Sequence, residues 1–124
     1  MKRTIQTSKA PEAIGPYSQA VEVNGTLYIS GQLPLDPETM KMPEGIEDQA
    51  DLVMKNIGAI LHEAGYSYDH VVKSTIFLKD ISDFQVVNVI YGKYYQSEPP
   101  ARSAYQVANL PKNAKIEIET IACK

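Results

Sequence analysis

The chain has one cysteine and no tryptophan in 124 residues. A lone Cys123 excludes an intrachain disulfide and fits a reducing compartment. Positive charge is also scarce: twelve Lys and Arg stand against fifteen Asp and Glu, a net charge of −3. With no run of Lys or Arg either, the chain has no field to attract nucleic acid or an anionic membrane. No apolar stretch approaches the ~20 residues that a bilayer-spanning helix needs. Met1–Lys2–Arg3 leads into polar Thr and Gln rather than an apolar run, so no secretory signal is expected. His62 and His70 lie without ligand spacing, and no paired cysteine accompanies them, so no zinc site is expected. Repeats, linkers and low-complexity segments are missing too. What remains is ordinary globular composition, 44% hydrophobic and 22% charged. That predicts one soluble, cytoplasmic domain over residues 1–124 with a real core.

Thr4 to Thr7 reads as a short first strand, followed by a loop punctuated by Ala10–Pro11 and Gly15–Pro16. Asn24–Gly25 is a strong hairpin signal, a two-residue turn with positive φ at both positions. Centring the hairpin there pairs Val23 with Thr26, Val21 with Tyr28 and Gln19 with Ser30. Extending the ladder sets Ser18 against Gly31 and Tyr17 against Gln32, gathering Tyr17, Ser30 and Gly31 at one end. From Ile46, apolar residues recur at helical spacing through Ala64, with Glu47 and Asp48 at the start and Gly65 as the stop. A β-branched strand follows over Val71–Lys79, with Val72, Ile76 and Leu78 expected on one face. Ser82–Asp83–Phe84–Gln85 has the form of a capping box. It opens a second helix with Phe84, Val87, Tyr91 and Tyr94 as its apolar stripe, which stops before Pro99–Pro100. The order predicts an α+β fold: one sheet with both helices on one face.

The last stretch, PARSAYQVANLPKNAKIEIE from Pro100 to Glu119, reads as two strands paired in a hairpin. Each strand carries an ionic group in an unusual place, Arg102 in the first, Glu117 and Glu119 in the second. Alternation puts Ser103, Tyr105 and Val107 with Ile116 and Ile118 on the helix-covered side. Arg102, Ala104 and Gln106 then share the other face with Glu117, Glu119 and Ile121. A turn between Pro111 and Lys112 sets Arg102 opposite Ile121, four residues and ~13 Å from Glu117. That is too far for both to touch one small acid. Either the strands slip or bend, or one group comes from a neighbouring chain; the second is the reading favoured. The mixed sheet face fits self-association.

This stretch resembles the C-terminal signature of the RidA/YjgF family of imine and enamine deaminases. The likeness extends to AIGPYSQAV, YISGQLPLDP, KSTIFLKDISDFQVVN and YGKYY, in order, over nearly the whole chain. The resemblance implies a chorismate-mutase-like fold with a mixed β-sheet, assembled as a homotrimer with sites between subunits. It implies hydrolysis of 2-iminobutanoate and 2-iminopropanoate to the 2-oxo acid and ammonia, which protects pyridoxal-phosphate enzymes, and no cofactor or metal of its own. Residue by residue, the family's carboxylate-binding arginine falls on Arg102 and its water-activating glutamate on Glu117. Its tyrosine falls on Tyr17, its serine–glycine backbone contact on Ser30 and Gly31, and its helix asparagine on Asn88. Many members carry Cys two residues after the arginine. Here it is Ala104, whose backbone N–H remains available to a substrate.

Those residue types suit that chemistry. Arginine's planar fork matches a carboxylate bidentately. A half-buried Glu with a raised pKa serves to deprotonate water. Tyr17 and the Gly31 N–H would hold the remaining polar edge. Ser30 has no His or Asp at triad spacing, so it does not read as a nucleophile. The competing reading is a regulatory module that binds a small carboxylate in the same clefts. Ribonuclease or translation-inhibitor activity, also described for relatives, fits poorly with the acidic balance and the lack of aromatic–basic interleaving.

Overall fold

Asn24 and Gly25 adopt φ of 50° and 77°, and the strands on either side pair as their sequence predicts: Val23 with Thr26 and Val21 with Tyr28. The computed structural model describes residues 1–124. Its strands are β1 (Arg3–Ile5), β2 (Ala20–Val23), β3 (Thr26–Gln32), β4 (Val71–Leu78), β5 (Ala101–Gln106) and β6 (Ile116–Cys123). Its helices are α1 (Ile46–Glu63) and α2 (Phe84–Tyr94). The strands form one six-stranded sheet in the order β1-β2-β3-β6-β4-β5. Only β4 and β5 run parallel, joined by α2 as a crossover; the other neighbours are antiparallel.

The apolar face of α1 builds the centre of the core. Ala50, Val53, Met54, Ile57, Ile60, Leu61 and Ala64 are all buried at the three- and four-residue steps that put them on one stripe. They pack over Leu27, Ile76, Leu78, Ile116 and Ile118 of the sheet. Burying each such Leu or Ile contributes about 2 kcal/mol. Helix α2 adds Val87, Ile90 and Tyr91 beside it. Both helices therefore lie on one side of the sheet. The opposite side keeps Tyr28, Val72 and Tyr105 exposed.

Five expectations need correction. Strand β1 stops at Ile5, short of Thr7, because the Thr7 N–H is taken by the side-chain oxygen of Gln19 at 2.7 Å. Val72 faces outward, not with Ile76 and Leu78, because the β4–β6 register shifts between Val71 and Lys73. Ser82 does not cap α2. Asp80 accepts from the Ser82 N–H at 2.9 Å and caps a 3₁₀ turn over Ile81–Asp83 that runs into the helix.

The fourth correction is the largest: β5 and β6 do not form a hairpin. Strand β4 lies between them, pairing with both. The connection passes the end of β4, where Val107 N–H donates to Leu78 O and Lys79 N–H to Lys115 O. The fifth follows from that pairing. Ser74, Ile76 and Leu78, buried on the helix side, are partnered by Arg102, Ala104 and Gln106. Those three residues of β5 therefore face the helices, and Tyr105 faces away, 55% exposed. Alternation along β5 was legible, but which face was which depended on its neighbour.

Candidate active site

Two clefts, on different parts of the protomer, divide the residues singled out by sequence. The first, ≈ 630 Å³, is lined by Tyr17, Ser30, Gly31, Gln32, Pro111 and Glu117 among others. The β2–β3 ladder continues past its strand ends to bring three of them together: Ser30 N–H donates to Gln19 O at 2.9 Å. The Ser30 hydroxyl donates to Ser18 O at 2.6 Å, so toward a ligand its oxygen is an acceptor. The sequence therefore placed Tyr17, Ser30 and Gly31 at one hairpin end, and there they lie.

Glu117 enters this cleft from β6. Its neighbours Ile116 and Ile118 are buried among the helices, so alternation sends Glu117 to the opposite face of the sheet. There the β3–β6 register shifts between Ile29 and Gln32, and the Glu117 carboxylate lies against Gly31. A Cβ at Gly31 would collide with it. Burial, and then the nearby charge of Glu119, raises the Glu117 pKa above the usual carboxylate value, which is what a carboxylate needs to accept a proton near neutrality. Exposed Glu119 lies outside the cleft.

The second cleft, ≈ 490 Å³, is lined by Asn88, Tyr91, Gly92, Tyr95, Pro99, Pro100 and Arg102. Helix α2 cradles the Arg102 guanidinium. Asn88 Oδ1 accepts from Nη1 at 2.7 Å. The rings of Phe84 and Tyr91 stand 5.1 and 5.2 Å from its central carbon, within cation–π range. Positions 84, 88 and 91 share one helix face, so one surface of α2 fixes the guanidinium and leaves its other N–H groups for a ligand. Asn88 thus meets Arg102, a pairing that the expected face of Arg102 did not allow. Ala104 lines neither cleft; it packs against the core.

Arg102 and Glu117 are not brought together. They lie on opposite faces of the sheet, with β4 between their strands. Arg102 is level with Ser74 and Glu117 with Phe77, three residues along and two strands across, about 14 Å from backbone to backbone.

Sequence reasoning missed the groups that hold the cleft walls. The buried Gln19 amide donates to Thr7 O, Ala10 O and Pro11 O, pinning the loop ahead of Tyr17. The Asn56 amide, on the buried face of α1, donates to Leu33 O and Leu35 O at 3.1 and 3.0 Å. The signal was present: a polar amide at an apolar-stripe position is kept for its hydrogen bonds. Phe84 and Tyr91, part of the apolar stripe of α2 in the sequence, also flank the Arg102 guanidinium.

A carboxylate poised to take a proton and a cradled guanidinium, on a six-stranded sheet backed by two helices, define a two-layer α+β enzyme scaffold for small polar ligands. The chain matches the family described as Endoribonuclease L-PSP over residues 7–124. It belongs to that family, the RidA/YjgF group. It is 55% identical to Reactive Intermediate Deaminase A, chloroplastic, of Arabidopsis thaliana, over 98% of this chain and 65% of that protein. Similarity to the 2-iminobutanoate/2-iminopropanoate deaminase of Capra hircus is 54% identity, over 98% of this chain and 90% of that one. The crystal structure of RidA from an Antarctic Psychrobacter superposes with a TM-score of 0.96 at 52% identity, covering 98% of this chain and 99% of that one.

Proposed function

We propose that the chain hydrolyses 2-imino acids, 2-iminobutanoate and 2-iminopropanoate, to 2-oxo acids and ammonia. It does so as a homotrimer, in clefts where Glu117 of one subunit meets Arg102 of the partner subunit. The observation that carries this is the split itself: each protomer holds the base in one cleft and the carboxylate clamp in another, on opposite faces. The relatives named as deaminases of these imines support the substrate class.

Arg102, held by Asn88, Phe84 and Tyr91, grips the substrate carboxylate through two parallel N–H···O bonds. Tyr17 and the Ser30–Gly31 backbone orient the imine. Glu117 takes a proton from water as its oxygen bonds to C2 and the C=N pair moves to nitrogen. That proton passes from Glu117 to nitrogen to give the carbinolamine; Glu117 then takes the hydroxyl proton and delivers it to nitrogen as the C–N bond breaks, so ammonia leaves and C2 becomes the ketone carbon. Positioning and one base suffice for an imine carbon that is already electrophilic. We place this in the cytoplasm, consistent with free, exposed Cys123, where it protects pyridoxal-phosphate enzymes from the imines. The net charge of −3 argues against RNA as the substrate.

The test couples purified protein to threonine dehydratase and traps the released imine with semicarbazide. Added protein should speed formation of 2-oxobutanoate and lower the semicarbazone yield; no effect rejects the deaminase and favours a carboxylate-binding module. Arg102→Lys should cut kcat/KM about tenfold or more, since an ammonium lacks the fork. Full activity in that variant would refute the bidentate grip.

A further inference from the structure

Two tyrosines that line the Arg102 cleft, Tyr91 and Tyr95, end in buried hydroxyls. With Ser74 Oγ of β4 and Thr120 Oγ1 of β6, they are the buried hydroxyls left without a well-formed hydrogen bond in the protein. They are not scattered. Ser74 and Thr120 are cross-strand partners on the helix side of β4 and β6. Tyr91 and Tyr95 are one turn apart, ring centroids separated by 4.7 Å. Both phenols make a hydrogen-bonding contact with the Ser74 hydroxyl that lowers their pKa against the larger effect of burial, though its geometry is too loose to satisfy either. Their side chains belong to residues only 0%, 1%, 5% and 8% exposed, in the order Ser74, Thr120, Tyr91, Tyr95.

Two of these residues neighbour Arg102. Ser74 is the ladder partner of Arg102, and the Tyr91 ring is one of the two that flank it. Protein interiors seldom leave even one buried hydroxyl unpaired. A water molecule fits the chemistry of this group, since it takes up to four hydrogen bonds and each hydroxyl can turn to donate or accept. Burial raises both phenols above their usual value, so each keeps a proton to donate.

We propose that Ser74, Tyr91, Tyr95 and Thr120 enclose one internal water, and that Tyr91, tied down through it, is a positioning residue for Arg102. This rests on the reading of Arg102 as the carboxylate contact. The water fixes the tilt of the Tyr91 ring from below. The ring in turn fixes the plane of the guanidinium, and hence the direction of the N–H pair offered to a carboxylate. Nothing in this chain of contacts reaches the base, so the effect belongs to binding and not to the proton transfer.

The test has two arms. A crystal structure of the wild-type protein, at a resolution that shows internal waters, should reveal one bonded to at least three of the hydroxyls. Direct contacts with no water would overturn the hydration site. In solution, Ser74→Ala, Tyr91→Phe and Thr120→Val are compared, the last two keeping the side-chain shape should the first fail to fold. Each should weaken calorimetric binding of 2-oxobutanoate, the unreactive product, about fivefold and raise KM alike, with kcat little changed. The Ser74→Ala, Tyr91→Phe pair should lose no more than the worse single variant, because both act through one water. Unchanged binding and KM with only a lowered Tm would reduce the cluster to packing and overturn the positioning role. Arg102→Ala separates the two levels. If it still binds 2-oxobutanoate, the carboxylate reading fails; if it does not and Tyr91→Phe binds normally, only this proposal fails.

Discussion

Glu117 is costly to bury and is kept so by the packing around it. Its pKa is raised from 4.5, first by burial and then by Glu119. A carboxyl whose pKa is raised by folding binds protons more tightly in the native state. Its contribution to stability therefore falls as pH rises from the unfolded value through the folded one, and stays low above that. Glu117→Gln removes the charge at similar size. We expect it to raise Tm at neutral pH relative to wild type, with the advantage shrinking in acid, while kcat/KM drops about 10²- to 10⁴-fold. Thermal melts across pH and the coupled assay check both halves. The wild-type pH–rate profile should have its acid limb above the ordinary carboxylate range, and the variant should lack that limb. Gly31 is the second residue at which stability and chemistry meet. Because a Cβ there would strike the Glu117 carboxylate, Gly31→Ala should displace that carboxylate and cut kcat/KM about tenfold or more. Unchanged kinetics in that variant would mean the carboxylate can move aside without loss, and that its place in the cleft is not fixed by Gly31.

At the level of elements, α1 was the most legible because its signal is local. Its apolar period, acidic first turn and Gly65 stop all lie within twenty-odd residues, and helix geometry alone converts them into a buried stripe. The β2–β3 hairpin was legible for the same reason: Asn24–Gly25 sets the register, and pairing arithmetic carried it as far as Gln19 and Ser30. The β5–β6 reading failed because nothing local reports that β4, some twenty-five residues earlier, inserts between them. A strand's alternation says that its faces differ; only the neighbouring strand says which is inside. Arg102 was thus singled out as a residue and misplaced as a side chain. Helix α1 also holds a conflict that propensity alone would misjudge. Gly58→Ala favours a helix by about 1 kcal/mol on intrinsic grounds. Here the Tyr68 hydroxyl occupies that space and donates to Met54 O at 2.7 Å. We expect Gly58→Ala to lower stability by about 1–3 kcal/mol and Tyr68→Phe to restore part of the loss in the double variant. A double-mutant cycle by chemical denaturation measures this, and a more stable single Gly58→Ala would contradict it.

At the scale of the whole molecule, the correction to β5 strengthens the case for sites between chains. With both groups on one face, a bend in a hairpin was enough to close the gap. With Arg102 toward the helices and Glu117 on the far side of the sheet, a bend cannot bring them to one three- or four-carbon acid. The uncovered face, with Tyr28 and Tyr105 exposed beside half-buried Phe77 and Ile121, is the surface that self-association would cover. A complementation experiment reads this directly. Arg102→Ala and Glu117→Gln subunits should each be inactive alone. Denatured together in equal amounts and refolded, they assemble at random, and each cleft draws its glutamate from one subunit and its arginine from the next. One pairing in four joins an intact Glu117 to an intact Arg102, so about a quarter of wild-type activity should return. Sites contained within one protomer would return none, whatever the oligomer. Recovery that fails although mixed oligomers are present by native mass spectrometry would therefore sink the shared site while leaving the assembly itself intact.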